Sequence, residues 1–320
     1  MSLLFDDAPD VEELVERIND DDAEVRCVAV MDLREIDEDD AIPLAIKSLS
    51  DTDPAVRREA ARVMDEYTGV AVAEALVKAL SDSDESVRIA AAATLAENKN
   101  DEAGVALLHA TNHHDPFVKA SSLRALRVLK LDESKGIALD SLGHPYASVR
   151  REAVGVLAYL KSDDVLIALM NSAKKDPDEN VRKVAMGSLI FSKNEKAAQT
   201  LVDGLKDKNW QVREEAAFVI GKVGQPSTVD PLIDAMNDEY WQVRVKAASS
   251  LGALKNAKAV AVLGQALSYS ISNLRKEAAA ALGEIKSTEA LPFLNIAKDD
   301  VDPDVRKIVN WAIDHINEYP

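Results

Sequence analysis

The chain has 320 residues, of which 47% are hydrophobic and 29% are charged, and its formal net charge is -18 at pH 7. This length and apolar content exclude an intrinsically disordered chain and suffice to bury a large core. No apolar run approaches the roughly 18 to 20 residues that span a bilayer, and the N-terminal MSLLFDDAPD lacks the pattern of a signal peptide, so we expect a cytoplasmic protein without a membrane segment.

The acidic excess lies in the first third of the chain. Residues 1–102 contain 28 of the 56 acidic and 10 of the 38 basic side chains, whereas residues 103–320 are balanced in charge. A negative surface attracts a basic partner, and it lacks the phosphate-neutralising charge that nucleic-acid binding requires. We therefore expect a protein partner with a basic surface facing this third, and no nucleic acid.

A hydrophobic residue followed by Arg or Lys recurs along the entire chain at a nearly constant interval. In chain order the pairs are Val25-Arg26, Val56-Arg57, Val87-Arg88, Val118-Lys119, Val149-Arg150, Val181-Arg182, Val212-Arg213, Val243-Arg244, Leu274-Arg275 and Val305-Arg306. Successive pairs are separated by the same number of residues as Val25 and Val56, except that the interval from Val149 to Val181 is one residue longer. Because chance does not produce such a register, the sequence predicts an array of ten repeats.

Each repeat contains two predicted helices. We number the hydrophobic residue of the pair as position 0. Small or apolar residues then return at positions 4, 8 and 11, as in Ala60, Met64 and Tyr67, which is the buried stripe of a helix. A first helix precedes this second helix, as in AIPLAIKSLS from Ala41 and TVDPLIDAMN from Thr228.

Turn and glycine residues agree with these helices. Asp53-Pro54 and Asp176-Pro177 fit the start of a second helix, where Asp caps free amides and Pro is tolerated. Gly221, Gly252 and Gly283 occupy position 9 of three successive repeats, which favours a close approach of neighbouring helices. The predicted fold is all-α: an alpha-alpha superhelix (α-solenoid) of ten helical hairpins in a single domain over residues 1–320.

The Asp-Pro turn, the Val-Arg pair and the Ala- and Leu-rich second helix that ends in Gly resemble the HEAT repeats of the phycobilisome lyase family, from about Asp10 to Tyr319. The resemblance implies scaffolds, assembly factors and bilin lyase subunits as possible functions. The hydroxylase branch of the family binds iron through His-Glu pairs, and no His-Glu dipeptide occurs in this chain.

Positions 2, 6 and 9 lie opposite the buried stripe, and we predict that they face a concave groove lined by the second helices. The basic and aromatic residues that we select there as candidates are Arg58, Arg62, Arg124, Arg127, Arg151, Lys183, Phe218 and Trp311. Arg and Lys beside small and apolar residues suit an acidic peptide, or an anionic and partly apolar tetrapyrrole. The alternative is a solvated face without a ligand.

The turn between the two helices of a repeat contains further candidate residues. Aromatic side chains precede position 0 by one to three residues at Phe117, Tyr146, Trp210, Tyr240 and Trp241. They either anchor a partner or cover the turn of a neighbouring repeat. The Arg or Lys at position 1, with Asp in the preceding turns, predicts a ladder of ion pairs between adjacent repeats, whose role is structural.

Two features suggest reactive chemistry. His109 and His113 are four residues apart and His144 follows His113 by one repeat interval, so three imidazoles are candidates for a metal site. Solvent-facing turns explain these histidines more simply, and we expect no metal. Cys27 has no sequence neighbour that would clearly lower its pKa, which predicts an unreactive thiol.

The sequence contains no phosphate-binding glycine loop, no His-Glu-x-x-His and no nucleophile elbow. The predicted function is a non-catalytic protein-binding scaffold or assembly adaptor without a cofactor. The alternative is a bilin lyase subunit or a chaperone that handles a tetrapyrrole chromophore.

Overall fold

The computed structural model describes residues 10–97, 103–192 and 194–318, and these residues form α-helices and short 3-10 helices without a β-strand. The prediction of an all-α chain is confirmed. By its internal contacts the chain divides into two compact units, residues 1–160 and 161–320.

The described residues of each unit contain ten α-helices. In the first unit these are α1 (Val11–Ile18), α2 (Ala23–Met31), α3 (Glu38–Ser48), α4 (Pro54–Val63), α5 (Val70–Ala79), α6 (Glu85–Glu97), α7 (Gly104–Ala110), α8 (Pro116–Leu129), α9 (Ser134–Ser141) and α10 (Ala147–Leu157). In the second unit they are α11 (Asp163–Lys175), α12 (Glu179–Ser188), α13 (Glu195–Gly204), α14 (Trp210–Val223), α15 (Val229–Ala235), α16 (Trp241–Leu254), α17 (Val260–Ala266), α18 (Ser272–Ile285), α19 (Leu291–Ile296) and α20 (Pro303–Asn317).

Consecutive helices pair into hairpins, α1 with α2 through α19 with α20, and the hairpins stack within each unit. Within each unit, each second helix packs against the second helix of the next repeat, as α4 does against α6 and α16 against α18. The ten predicted hairpins are confirmed, and each unit is an α-solenoid of five repeats. Their union into a single domain over residues 1–320 stays a prediction.

The predicted buried stripe of the second helix forms the core. Ala60, Met64 and Tyr67 are all buried, and burial of such apolar side chains is the main driving force of folding. The Tyr67 hydroxyl donates a hydrogen bond to the carbonyl of Leu33 at 2.7 Å, so the ring joins two repeats without leaving a buried polar atom unsatisfied.

A second hydrogen bond between repeats recurs in both units. Thr94 donates to the Ala61 carbonyl at 2.8 Å, and Ser250 donates to the Ala217 carbonyl at 2.7 Å. Both donors are buried at position 7 and both acceptors are at position 5 of the preceding repeat. The equivalence shows that adjacent second helices have the same register in the two units.

The predicted helix caps are mostly correct. Asp53 accepts a hydrogen bond from the amide of Ala55 at 2.7 Å, with Pro54 in the first turn. At Asp176-Pro177 the prediction is wrong, because α12 begins at Glu179 and its cap is Asp178. The one extra residue in this turn displaces Asp176 and Pro177 from the helix start.

Glycine permits close packing of second helices in the second unit. A Cβ built on Gly252 would lie 2.8 Å from the Ala281 Cα, and one on Gly221 would lie 2.9 Å from the Ser250 Cα. The predicted close approach is confirmed, and it is an approach of backbone to backbone that no side-chain rotation can relieve.

We expect Gly252→Ala to lower the free energy of unfolding by about 1 to 3 kcal/mol, because α16 and α18 must move apart. The matched control is Gly136→Ala in α9, where a Cβ would meet nothing within 4 Å. There the better helix propensity of Ala should raise the free energy of unfolding by up to about 1 kcal/mol. Urea unfolding of both variants measures the difference, and equal effects would contradict the assignment.

Candidate functional site

The predicted ladder of ion pairs is present between the turns of adjacent repeats. An Arg at position 1 pairs with an Asp in the turn of the next repeat, with Nε–Oδ2 distances of 2.6–2.8 Å and Nη2–Oδ1 distances of 2.8–2.9 Å. Within the described residues the pairs with this geometry are Arg26–Asp51, Arg57–Asp82, Arg182–Asp207, Arg213–Asp238 and Arg275–Asp300.

Each of these Arg residues also binds its own turn. The Arg57 Nη1 donates to the carbonyls of Asp51 and Thr52 at 2.9 and 3.2 Å. Asp82 Oδ1 in turn accepts the amide of Asp84 at 2.8 Å. The Arg57 and Asp82 side chains are only 13% and 12% exposed, and the hydrogen bond from Arg57 lowers the pKa of Asp82. One guanidinium therefore fixes two successive turns.

At three interfaces another residue stands where the ladder has Asp. His113 faces Arg88, His144 faces Lys119 and Tyr269 faces Arg244, each at the same sequence offset from its cation as Asp has elsewhere. For Arg88 and Arg244, these substitutions remove the carboxylate that would accept both guanidinium N–H groups. In the described part of the chain, the buried Nε atoms of Arg88 and Arg244 accordingly lack a hydrogen-bond partner.

The two histidines keep one function of the Asp that they replace. His113 Nδ1 accepts the amide of Asp115 at 3.1 Å, and His144 Nδ1 accepts the amide of Tyr146 at 3.3 Å, as Asp82 does for Asp84. Burial, with Lys119 and Arg150 nearby, lowers the pKa of His144, which keeps its ring neutral and able to accept.

The turn geometry accounts for the histidines without a metal. The Nδ1 atoms of His113 and His144 accept hydrogen bonds from backbone amides, and His109 lies in the last turn of α7 and not in the turn between helices. Among the described residues no group of three His, Cys, Asp or Glu side chains is placed to hold a metal ion. His113 and His144 are one repeat interval apart because both occupy the turn position that Asp has in other repeats.

Three of the five predicted turn aromatics are engaged in contacts along the ladder. The Phe117 ring lies 5.2 Å from the Arg88 guanidinium. The rings of Trp210 and Tyr240 stack at 5.4 Å with an interplanar angle of 11°, and Arg213 lies over Tyr240 at 5.5 Å. These rings cover neighbouring turns, which was the structural alternative.

Tyr146 and Trp241 are less engaged. Tyr146 is 56% exposed beside the His144 ring at 5.8 Å, and Trp241 is 37% exposed at the start of α16. Tyr146 belongs to the first unit and Trp241 to the second.

We use the term second-helix face for the surface of the second helices at positions 2 and 6, the predicted groove. Position 6 is exposed at Arg62, Arg124, Phe218 and Trp311, whereas position 9 of the glycine repeats is covered, with Gly252 and Gly283 buried. Position 9 therefore contributes to the helix–helix seam in those repeats and not to an open groove.

In the first unit the predicted basic stripe is partly neutralised. Arg127 Nη1 lies 3.7 Å from Glu152, and Arg151 lies 3.1 Å from the same carboxylate, which is buried. Arg58 and Arg62 line a cavity of about 380 Å³ between α4 and α6. The Arg58 Nε is buried there and has no hydrogen-bond partner among the residues described.

In the second unit the second-helix face has an aromatic ring in repeat 7 and another in repeat 10. Position 6 of repeats 7 to 10 is occupied by Phe218, Ser249, Ala280 and Trp311. Phe218 and Trp311 are 37% and 39% exposed, with only small side chains between them. We call this row of four residues the aromatic-ended trough.

Cations and small residues hold the two rings in place. Lys222 and Lys246 place their Nζ atoms 5.5 and 5.6 Å from the Phe218 ring centre. Trp311 leans across Gly283 on α18 and stacks on His315 at 5.0 Å. The trough thus offers two fixed aromatic surfaces with positive charge at one end, an arrangement suited to recognition.

The remaining predicted side chains lie outside the trough. Lys183 is half-buried on α12. Burial raises the pKa of Glu215, which lies beside Gly187, and the positive charge of Lys183 partly opposes this rise. Burial raises the pKa of the Cys27 thiol, so the reactive thiolate is disfavoured.

Three contributing residues were not predicted from the sequence. Tyr269 was overlooked although it occupies the Asp position of the ladder, and its ring lies 5.0 Å from the Arg244 guanidinium. Lys222 and Lys246 were overlooked because they lie at positions 10 and 3 and not in the predicted stripe. The repeat register contained the signal for Tyr269 but not for the two lysines.

Comparison with protein families identifies the repeat. The family model of HEAT repeats matches residues 11–81, 73–142, 137–221, 198–270 and 229–314. The chain belongs to the HEAT-repeat family. A comparison with curated proteins found no match. None of the matches distinguishes the phycobilisome lyase type among HEAT repeats.

Several solved HEAT-repeat and designed structures are similar in fold. An engineered protein has 22% identity and a TM-score of 0.50, with 96% of this chain and 98% of that chain covered. The Escherichia coli protein YibA has 19% identity and a TM-score of 0.54, with 93% and 98% covered. Kap95p, solved with RanGDP, has 14% identity and a TM-score of 0.68; 97% of this chain is covered, and it spans 50% of that chain.

No helix within the described ranges combines the length and the apolar character that a bilayer crossing needs.

We expect Asp82→Ala to lower the free energy of unfolding by about 2 to 3 kcal/mol, because the guanidinium of Arg57 loses its carboxylate in a site with little solvent. The control is Asp230→Ala, whose 3.2 Å pair with Lys258 is 69% and 65% exposed, and which should cost less than about 1 kcal/mol. Arg57 lowers the pKa of Asp82 in the folded protein. The ion pair therefore stabilises the fold at pH values above the ordinary Asp pKa, and this stabilisation is lost as the pH falls through the lowered pKa of folded Asp82. The gap between wild type and Asp82→Ala should therefore close in acid, and a constant gap would contradict the ion pair.

We expect His113→Asp to raise the free energy of unfolding by about 1 to 2 kcal/mol. One carboxylate oxygen of the new Asp can accept the hydrogen bond from the Asp115 amide, and the other can accept a hydrogen bond from the Nε of Arg88, which now has no partner within the described residues. A double-mutant cycle with Arg88→Ala isolates the pair. An equal gain in the Arg88→Ala background would show that only the turn cap has improved.

Proposed function

We propose that the chain is a non-catalytic protein-binding scaffold that holds a segment of a partner in the aromatic-ended trough. The observation that carries this proposal is the set of residues at position 6. Two exposed aromatic rings in repeats 7 and 10 stand on either side of the small residues Ser249 and Ala280. Exposed aromatic side chains at a fixed separation are typical anchors of protein interfaces.

The dimensions of the trough define the segment. Packed helices lie about 8 to 10 Å apart, so three repeat intervals separate the two rings by about 24 to 30 Å. A helical segment of about 16 to 20 residues spans this distance at 1.5 Å per residue. The segment therefore presents two apolar side chains about five turns apart, one for Phe218 and one for Trp311.

Charge adds a direction to the binding. Lys222 and Lys246 flank Phe218, so an acidic residue beside the first apolar anchor gains an ion pair in a partly desolvated position. The acidic first third of the chain adds attraction to a basic surface elsewhere on the same partner. We place this scaffold in the cytoplasm.

The similarity to Kap95p supports the protein-binding class. Kap95p, which has this fold, binds RanGDP. A solenoid fold supplies long exposed helix faces, on which specificity is set by the side chains at a few positions of each repeat. In this chain those positions are the members of the trough.

The proposal is tested by selecting binders from a display library of random 24-residue peptides and measuring them by fluorescence anisotropy. We expect the selected peptides to share two apolar positions separated by about five helical turns. Phe218→Ala and Trp311→Ala should each weaken binding about tenfold or more, a loss of about 1.4 kcal/mol or greater.

The matched control is Tyr159→Ala, which removes an exposed ring under the Lys130 ammonium in the other unit. This variant should bind the peptides as wild type does. Peptides that lose no affinity in Phe218→Ala and Trp311→Ala would show that the trough is not the site.

The tetrapyrrole alternative follows from the family resemblance, and the open cavity beside Arg58 and Arg62 is the position that favours it. A propionate would accept the unsatisfied Nε of Arg58. Titration with biliverdin tests this alternative by a shift in pigment absorbance that Arg58→Ala abolishes. A spectrum that does not change would remove the tetrapyrrole from consideration.

A further inference from the structure

The last two repeats enclose an apolar groove on the first-helix side of the second unit, away from the trough. It has a volume of about 490 Å³ and lies between the ends of α17 and α19 and their following turns. Its main lining residues are Leu267, Tyr269, Phe293, Ile296, Asp299 and Val301. We call it the terminal groove.

Two large apolar side chains of this groove are almost fully in solvent. Ile296 is 84% exposed and Val301 is 90% exposed. Apolar surface of this extent is unfavourable in water and marks interaction sites when it lies beside a cavity.

The repeat register shows that these residues are departures from a polar pattern. The position of Ile296 is polar in every other repeat: Glu16, Lys47, Lys78, His109, Asp140, Ser172, Asp203, Asp234 and Gln265. The position of Asp299 is neutral or basic in every other repeat: Asn19, Ser50, Ser81, Asn112, Gly143, Lys175, Lys206, Asn237 and Ser268. The terminal groove therefore combines an apolar and an acidic residue that the repeat does not otherwise use.

An equivalent groove in the first unit serves as an internal comparison. It lies between repeats 2 and 3 and has a volume of about 380 Å³. Lys78, Ser81 and Ala75 line it where the terminal groove has Ile296, Asp299 and Phe293. Since a groove forms at this place with Lys78 at the position of Ile296, the fold does not require an exposed apolar side chain there.

The floor of the terminal groove is built by a pair of complementary residues. Gly264 stands where most repeats have a large apolar side chain, such as Ile46 or Ile233, and the Phe293 ring lies over the vacant position. The ring is thereby held against the backbone of α17, and it offers a fixed aromatic surface next to Ile296.

The carboxylates of the groove differ in availability. Asp300 is held by the Nε and Nη2 of Arg275 at 2.6 and 2.8 Å. Asp299 is exposed and makes no ion pair with any described residue. A cation entering the groove therefore meets Asp299 as its partner.

We propose that the terminal groove binds a segment of a partner protein that presents an apolar side chain next to Lys or Arg. The apolar side chain packs against Phe293, Ile296 and Val301, and the cation pairs with Asp299. This site is separate from the trough, whose lysines favour an acidic segment.

The experiment uses the full chain and three fluorescein-labelled 10-residue peptides with Leu and Phe at the same places and Lys, Ser or Glu between them. We expect the Lys peptide to bind most tightly and the Glu peptide least tightly. Ile296→Lys should weaken the Lys peptide about tenfold or more, and Asp299→Ser should weaken it about threefold or more. Both variants install the residue types of the equivalent groove, Lys78 and Ser81, so they are expected to fold.

Two matched controls separate the groove from general charge effects. Asn171→Lys adds the same positive charge at an exposed position of α11, and Asp234→Ser removes one negative charge from α15. Both should leave the dissociation constant of the Lys peptide unchanged. If Asn171→Lys weakens binding as much as Ile296→Lys does, the peptide is responding to net charge and the proposal is wrong.

Three further results would overturn it. Equal affinity for the Lys and Glu peptides would remove the role of Asp299. Loss of Lys-peptide binding in the Phe218→Ala, Trp311→Ala double variant, with binding retained in Ile296→Lys, would move the site to the trough. Self-association in sedimentation experiments that Ile296→Lys abolishes would identify a second copy of this chain as the occupant.

Discussion

The bidentate ion pair between an Arg at position 1 and an Asp in the next turn sets the spacing of successive turns at five interfaces of the described residues. Each guanidinium binds two carbonyls of its own turn and one carboxylate of the next, and that carboxylate also accepts a backbone amide. These bonds can form together only if successive turns lie at one distance and orientation. The nearly constant repeat interval is the sequence counterpart of this requirement.

Because the turns fix the register, the second helices can present small residues to one another. Gly221 and Gly252 bring α14, α16 and α18 into backbone contact, which leaves position 6 as the main open position of the second-helix face. Large side chains there cannot sink into the seam. Phe218 and Trp311 consequently project from the surface, and the trough is a result of tight packing beneath it.

The sequence was sufficient for every feature that repeats: helices, hairpins, buried stripe and ladder. It was insufficient where the outcome depends on a neighbouring side chain. Arg127 and Arg151 occupy predicted groove positions, yet both turn to the buried Glu152. Asp176 has the right neighbour, Pro177, but one extra residue moves the cap to Asp178. The repeat register predicts where a residue lies in its helix or turn. It does not predict which neighbouring side chain forms its hydrogen bonds or ion pairs.

Departures from the register distinguish structural adjustment from recognition. At three interfaces a departure is compensated: His113 retains the turn hydrogen bond, Tyr269 stacks on Arg244, and Phe293 fills the space above Gly264. Such changes preserve packing and need no external ligand. Ile296 has no compensation, because its side chain remains 84% exposed where other repeats are polar. An apolar side chain that is exposed beside a cavity, at a position that is polar in the other repeats, separates the terminal groove from the structural variations around it.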